Sequence, residues 1–140
     1  MKSINPYAKV HTQLLDHTSS SGVDNLFSTV KKELGTSADI LMNNAGNGSH
    51  WSEFAHGNLG SWWADMEVFL KGPYLMSKAF IRSALEEKKE SRATEGGGRG
   101  VIVHISSIAS YYSMKQLSSY QVAKIALNRL SESIRIGKSM

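Results

Sequence analysis

The sequence predicts an α/β layer structure built on a parallel sheet. Two observations carry this reading: Ile40-Leu41-Met42 and Val101 to Ile105 are short, unalternated apolar runs, and the segment after each repeats apolar residues at helical spacing. A strand that is apolar on both faces belongs inside a parallel sheet, where helices cover both sides. Strand then helix, three times over, is the element order that such sheets require.

Taken in order, Val10 to Leu15 reads as a short strand ending at Asp16, and Thr18-Ser19-Ser20-Ser21-Gly22 supplies turn and cap residues. Val23, Leu26, Phe27, Val30 and Leu34 then share one helical face, with Ser20 or Ser21 able to cap the start and Gly35 placed for a left-handed stop. The Ile40 run ends in Asn43-Asn44-Ala45-Gly46. From Leu59 to Lys89 a broad stripe of Trp62, Trp63, Met66, Phe69, Leu70, Leu75, Ala79 and Phe80 predicts a long helix. Gly72-Pro73 should interrupt it, because proline lacks a donor and crowds the preceding turn. Glu90 to Gly100 reads as a surface loop, Val101 to Ile105 as the next strand, and Ser118 to Ile136 as a helix burying Ala123, Leu127, Leu130 and Ile134. There is no internal repeat.

At 140 residues, of which 41% are hydrophobic, the chain suits one domain, residues 1–140. The net charge of +4 does not mark a nucleic-acid surface, since the basic residues are scattered from Lys2 to Lys138 and the Glu86 to Arg92 cluster mixes signs. Without cysteine there is no disulfide frame and no thiolate chemistry, which fits a cytoplasmic protein. Met1 to Val10 has no apolar stretch of signal length, and no later run is long enough to cross a bilayer.

The chemistry concentrates on a few residues. Tyr120 and Lys124, four apart on a helix, lie on one face, where an ammonium beside a phenol favours the phenolate and makes the tyrosine a candidate acid/base. Such a pair also occurs as an ordinary surface contact. Ser107 leaves the end of a buried strand, at the edge where open α/β sheets bind ligands. Asn43, Asn44 and Gly46 end the other strand, with glycine permitting close backbone approach.

Asn43-Asn44-Ala45-Gly46, then Ser107, then Tyr120-x-x-x-Lys124, in this order and with this serine-to-tyrosine interval, resembles the short-chain dehydrogenase/reductase family. The approach Leu34-Gly35 to Asp39-Ile40-Leu41-Met42 and the end Leu15-Asp16-His17-Thr18 resemble that family's middle strands, so that nearly all of the chain aligns with the middle of the fold. The resemblance implies a partial Rossmann-like, doubly wound parallel sheet in three αβα layers, truncated at both ends. It implies NADP or NAD as cofactor and a small carbonyl or alcohol as substrate. Tyr120 would move the proton, Ser107 would steady the substrate oxygen, and Lys124 would tune Tyr120 and hold the nicotinamide ribose. Asp16 would lie beside the adenine, and Asn43, Asn44 and Gly46 along the adenosine side.

Three departures stand against the family pattern. The first glycine is Gly22, so no glycine-rich phosphate turn precedes it, and Gly96-Gly97-Gly98-Arg99-Gly100 precedes a strand, on the wrong sheet edge for a ligand. The residue that selects NAD or NADP is not readable, and no substrate-covering segment follows Ile136. Phe69 stands where the family usually has an asparagine that supports a relay water. Without the first two strands, Val10 to Leu15 is expected either to pair directly with the Ile40 strand or to detach, leaving an edge open to association.

Other chemistries fit less well. His11, His17, His50, His56 and His104 lack ligand spacing with a supporting carboxylate, so no metal is expected. Ser106 and Ser107 lack the Gly-x-Ser-x-Gly elbow of a hydrolase. Trp51, Trp62 and Trp63 are assigned to packing. The rival reading is a catalytically silent fragment that associates, with itself or another chain, through the helices Leu59 to Lys89 and Ser118 to Ile136.

Overall fold

A computed structural model describes residues 7–46, 48, 50–90 and 100–137. Helix α1 spans Ser20–Leu34, strand β1 Ile40–Asn43, α2 Leu59–Met66, α3 Gly72–Glu90, β2 Val101–His104 and α4 Ser118–Gly137. The strands pair in parallel, Ile40 with Val101 through Asn43 with His104, as the apolar runs predict. A parallel pair needs a crossover, and the helical segment from α2 to α3 supplies it.

Residues 10–15 do not form the expected strand. Val10 and Leu14 are 81% and 101% exposed, and among the described residues the sheet holds β1 and β2 alone. A strand exists through its ladder, and this segment pairs with neither strand, so its detachment is the outcome observed. The helix after it forms as read, except that Ser19 is the cap, accepting from the Gly22 amide. Gly35 closes α1 at φ 74°, in the left-handed region that favours glycine.

β1 is not covered on both faces. Leu41 is buried and Asn43 meets α3, but Ile40 and Met42, pointing the other way, are 64% and 62% exposed. Apolar runs show that burial is possible, not that a covering layer is present. On the covered side α1 packs on α3, with Phe27 edge-on to Phe80, while α4 buries Ala123 and Leu127.

The interruption expected at Gly72-Pro73 falls one turn earlier. Residues Glu67–Lys71 form a wide π-turn between α2 and α3, in which the Gly72 amide bonds the Glu67 carbonyl. Pro73 has no N–H for the Phe69 carbonyl four residues back, and widening the preceding turn accommodates that loss. The packing assignment of the tryptophans fails for two of them: Trp51 and Trp63 are 65% and 55% exposed. The Glu90 to Gly100 loop, apart from its two end residues, lies outside the described residues, as does part of the Glu86 to Arg92 cluster.

Candidate active site

Tyr120 occupies the first turn of α4 and Lys124 the second. Lys124 is buried, and its Nζ donates to the Ile105 carbonyl just past β2 at 2.6 Å. The same Nζ stands 5.2 Å from the Phe69 ring centroid and 5.5 Å from that of Tyr120. Burial pushes the Lys124 ammonium below its ordinary range. One of its three donors is committed to Ile105, which leaves others for a ligand hydroxyl.

Ser107 caps the short 3-10 turn Ile108–Ser110: its Oγ accepts from the Ala109 amide at 3.2 Å, which anchors the side chain while leaving its proton free to donate. Both Ser107 and the lysine's carbonyl partner thus lie at the C-terminal edge of β2. Asn43, at the matching edge of β1, donates to Ser77 Oγ and to His104 Nδ1, each at 3.2 Å. With Nδ1 accepting, the imidazole proton belongs on Nε2, which is buried and has no hydrogen-bond partner among the described residues; Ser106 Oγ shares that condition. Burial, followed by the Lys124 charge, holds His104 below the usual imidazole range.

The other expected cofactor residues are more scattered. Asn44 and Gly46 are exposed beyond β1, and Gly46 abuts the ring of Phe69, where a Cβ would sit 2.8 Å from Cε1. Asp16 accepts from the Thr18 hydroxyl and amide, which holds its carboxyl below the usual range. Its neighbour His17 reaches the Val68 carbonyl at 3.0 Å, which ties the segment carrying Asp16 to the turn after α2.

One buried group is absent from the sequence reading. Asp65 has no solvent exposure and accepts from Ser119 Oγ at 2.6 Å, the His50 amide at 3.1 Å and His50 Nδ1 at 3.0 Å. A signal for it exists: Asp65 falls three residues after Trp62 and four before Phe69, a carboxylate within an apolar stripe. Beside this cluster lies a cavity of about 530 Å³, lined by Trp51, Phe54, Trp62, Trp63, Ser118 and others, but by neither Ser107 nor Tyr120. Among the described residues, no cluster of three metal-ligating side chains occurs, and no helix is long and apolar enough to cross a membrane.

A model of the short chain dehydrogenase family matches residues 2–136. The chain belongs to the short-chain dehydrogenase family. This dehydrogenase-family chain is 34% identical over 127 residues to the short chain dehydrogenase mpl6 of Monascus purpureus, covering 91% of the chain and 40% of that relative. An uncharacterized oxidoreductase of Schizosaccharomyces pombe is 34% identical over 128 residues, with the same shares of 91% and 40%. The chain therefore spans about 40% of the length of these curated relatives.

Solved structures agree on the architecture. A short-chain dehydrogenase from Streptomyces avermitilis superposes with a TM-score of 0.70 at 28% identity, over 86% of this chain and 40% of that one. An NAD+-bound xylitol dehydrogenase does so at 0.77 and 21% identity, over 89% and 44%, a likeness of fold alone. The short-chain dehydrogenase chain thus has a Rossmann-like α/β fold. Its described helices cover one sheet face, two of the three layers expected.

Proposed function

We propose that this chain carries the proton-transfer half of an NAD(P)-dependent oxidoreductase that interconverts a carbonyl and an alcohol. The observation that carries the reading is Lys124, a buried ammonium anchored on the Ile105 carbonyl beside Tyr120 and with donors to spare. Tyr120 Oη gives its proton to the carbonyl oxygen in reduction and takes it back in oxidation. Ser107 Oγ, held by the Ala109 amide, donates to that oxygen and orients it. Lys124 offers its remaining N–H groups to the nicotinamide ribose and stands beside the Tyr120 ring, where its charge faces the reacting phenol.

These residues fit the nicotinamide end of a dinucleotide, and bound NAD or NADP would supply or accept the hydride. Asn43, Asn44, Gly46 and Asp16 are assigned to its adenosine side on the family resemblance; for Asn43 the contact with His104 and Ser77 supports a second, structural duty. The substrate is a small carbonyl or alcohol. The same reading is of a cytoplasmic protein, in keeping with a sequence free of cysteine.

Titration of the purified chain with NADPH and NADH, followed by carbonyl reduction assays beside Tyr120→Phe, tests this. Saturable binding in both proteins, with turnover only in the parent, is the expected result. Absence of binding by folded protein overturns it.

A second reading is an associating, catalytically silent fragment. The exposure of Trp63 (55%) and Tyr74 (47%) on α2 and α3, and of Val122 (44%) and Ile125 (53%) on α4, favours it, since apolar side chains on neighbouring helices form a ready contact surface. Light scattering distinguishes a monomer from a dimer, and a dimer that binds neither nucleotide supports this reading.

A further inference from the structure

The sequence places Phe69 on a helix, and the structure places it on the one turn of that helix that is not α-helical. The wide turn Glu67–Lys71 adds a residue to the helical path, which rotates everything after it relative to everything before, and such bulges recur at functional sites. Phe69 is 4% exposed and is the one fully buried side chain of the turn. Its ring meets the Tyr120 ring edge to face, with centroids 5.0 Å apart and planes at 87°. Lys124 Nζ lies 5.2 Å from its centroid, within the range of a cation–π contact. The ring also fills the space above Gly46, where a Cβ would come within 2.8 Å of its Cε1.

Phe69 is therefore wedged among Gly46, Tyr120 and Lys124 at once. A phenyl ring has no donor or acceptor to pass a proton along, so its contribution here is geometric and electrostatic. The edge-to-face contact fixes the plane of the phenol and hence where its hydroxyl points. The ring faces of Phe69 and Tyr120 present negative charge density to an ammonium that burial would otherwise drive towards the neutral amine.

We propose that Phe69 is the positioning residue of the Tyr120–Lys124 pair, an aromatic clamp that sets the phenol ring by its edge and holds the lysine as an ammonium by its face. In the catalytic reading, which this proposal deepens, the clamp keeps Lys124 positively charged while it serves Tyr120 and the ribose. The charge of Lys124 is measurable without cofactor or substrate, so the clamp and the catalytic reading fail separately.

The test is NMR titration of the Lys124 Cε resonance in the full chain, assigned with Lys124→Arg, in the parent, Phe69→Leu and Phe69→Tyr. Leucine keeps the apolar volume without the ring, and tyrosine keeps the ring. The expected result is a Lys124 titration lower by about half a pH unit or more in Phe69→Leu, from the loss of one cation–π contact. Phe69→Tyr restores the parent value. Should Phe69→Leu unfold by circular dichroism, Phe69→Met takes its place with the same expectation. Lys124 titrating in the folded Leu or Met variant as it does in the parent overturns the proposal. So does unfolding of both variants, which would make Phe69 a core residue only.

Discussion

Ser119 donates a 2.6 Å hydrogen bond to Asp65, tying the residue just before Tyr120 to a carboxylate with no solvent exposure. Asp65 also holds the His50 amide and imidazole, so one buried group joins the loop after β1, helix α2 and the start of α4. Removing it leaves a buried hydroxyl and a backbone amide without an acceptor. Asp65→Ala should cost about 3 kcal/mol, and Ser119→Ala about 1 kcal/mol. Urea midpoints measure both; equal losses would show that the His50 bonds contribute nothing.

Gly46 is closed to any larger residue by Phe69. A methyl at Gly46 would sit 2.8 Å from Phe69 Cε1, and that ring, held against Tyr120 and Lys124, has little room to withdraw. Gly46→Ala should destabilise the fold by about 1–3 kcal/mol, as overpacking does. The Tyr120 ring resonances should shift in the same variant, and unchanged resonances at unchanged stability would show that the ring yields freely.

Gly72 and His17 should be coupled. An added Cβ at Gly72 would lie 1.9 Å from His17 Cδ2, so the imidazole must leave and give up its 3.0 Å contact with the Val68 carbonyl. In the parent, Gly72→Ala sets a helix gain of about 1 kcal/mol against a comparable hydrogen-bond loss. In a His17→Ala background only the gain remains. A double-mutant cycle should therefore return a coupling of about 1 kcal/mol, and strict additivity would refute the contact.

His104 gives stability a dependence on pH below neutrality. Its folded pKa lies below the ordinary 6.5, so the unfolded chain binds the proton more readily. The stability it contributes is fully present above 6.5 and is lost as pH falls through the folded value. Lys124 acts in the same sense at the alkaline end, stability rising as pH climbs towards 10.5. His104→Asn, which keeps an acceptor for Asn43, should flatten the decline of the urea midpoint between pH 7.5 and 5. A slope as steep as the parent's would assign the acid sensitivity to other groups.

Much of the fold was legible because its signals are local. Period and cap chemistry marked α1, with Gly35 at its end, and the face of α4 with Ala123 and Leu127 inward. The runs Ile40–Met42 and Val101–Ile105 marked the parallel pair, since apolar side chains on successive residues have few other homes. Tyr120 and Lys124 were legible as a pair because four residues of helix bring them to one face.

What only the tertiary structure decided depends on partners distant in sequence. Val10 to Leu15 has strand composition but pairs with no strand among the described residues, and Ile40 and Met42 have core composition but lie exposed among the described residues. Asp65 is buried only because Ser119, 54 positions on, and His50 close around it. Phe69 read as a missing amide in the sequence, and in the structure it is a ring between Gly46, Tyr120 and Lys124. Helical period and cap chemistry act over a few residues and are written into the chain, whereas burial and pairing are settled only when separate segments meet.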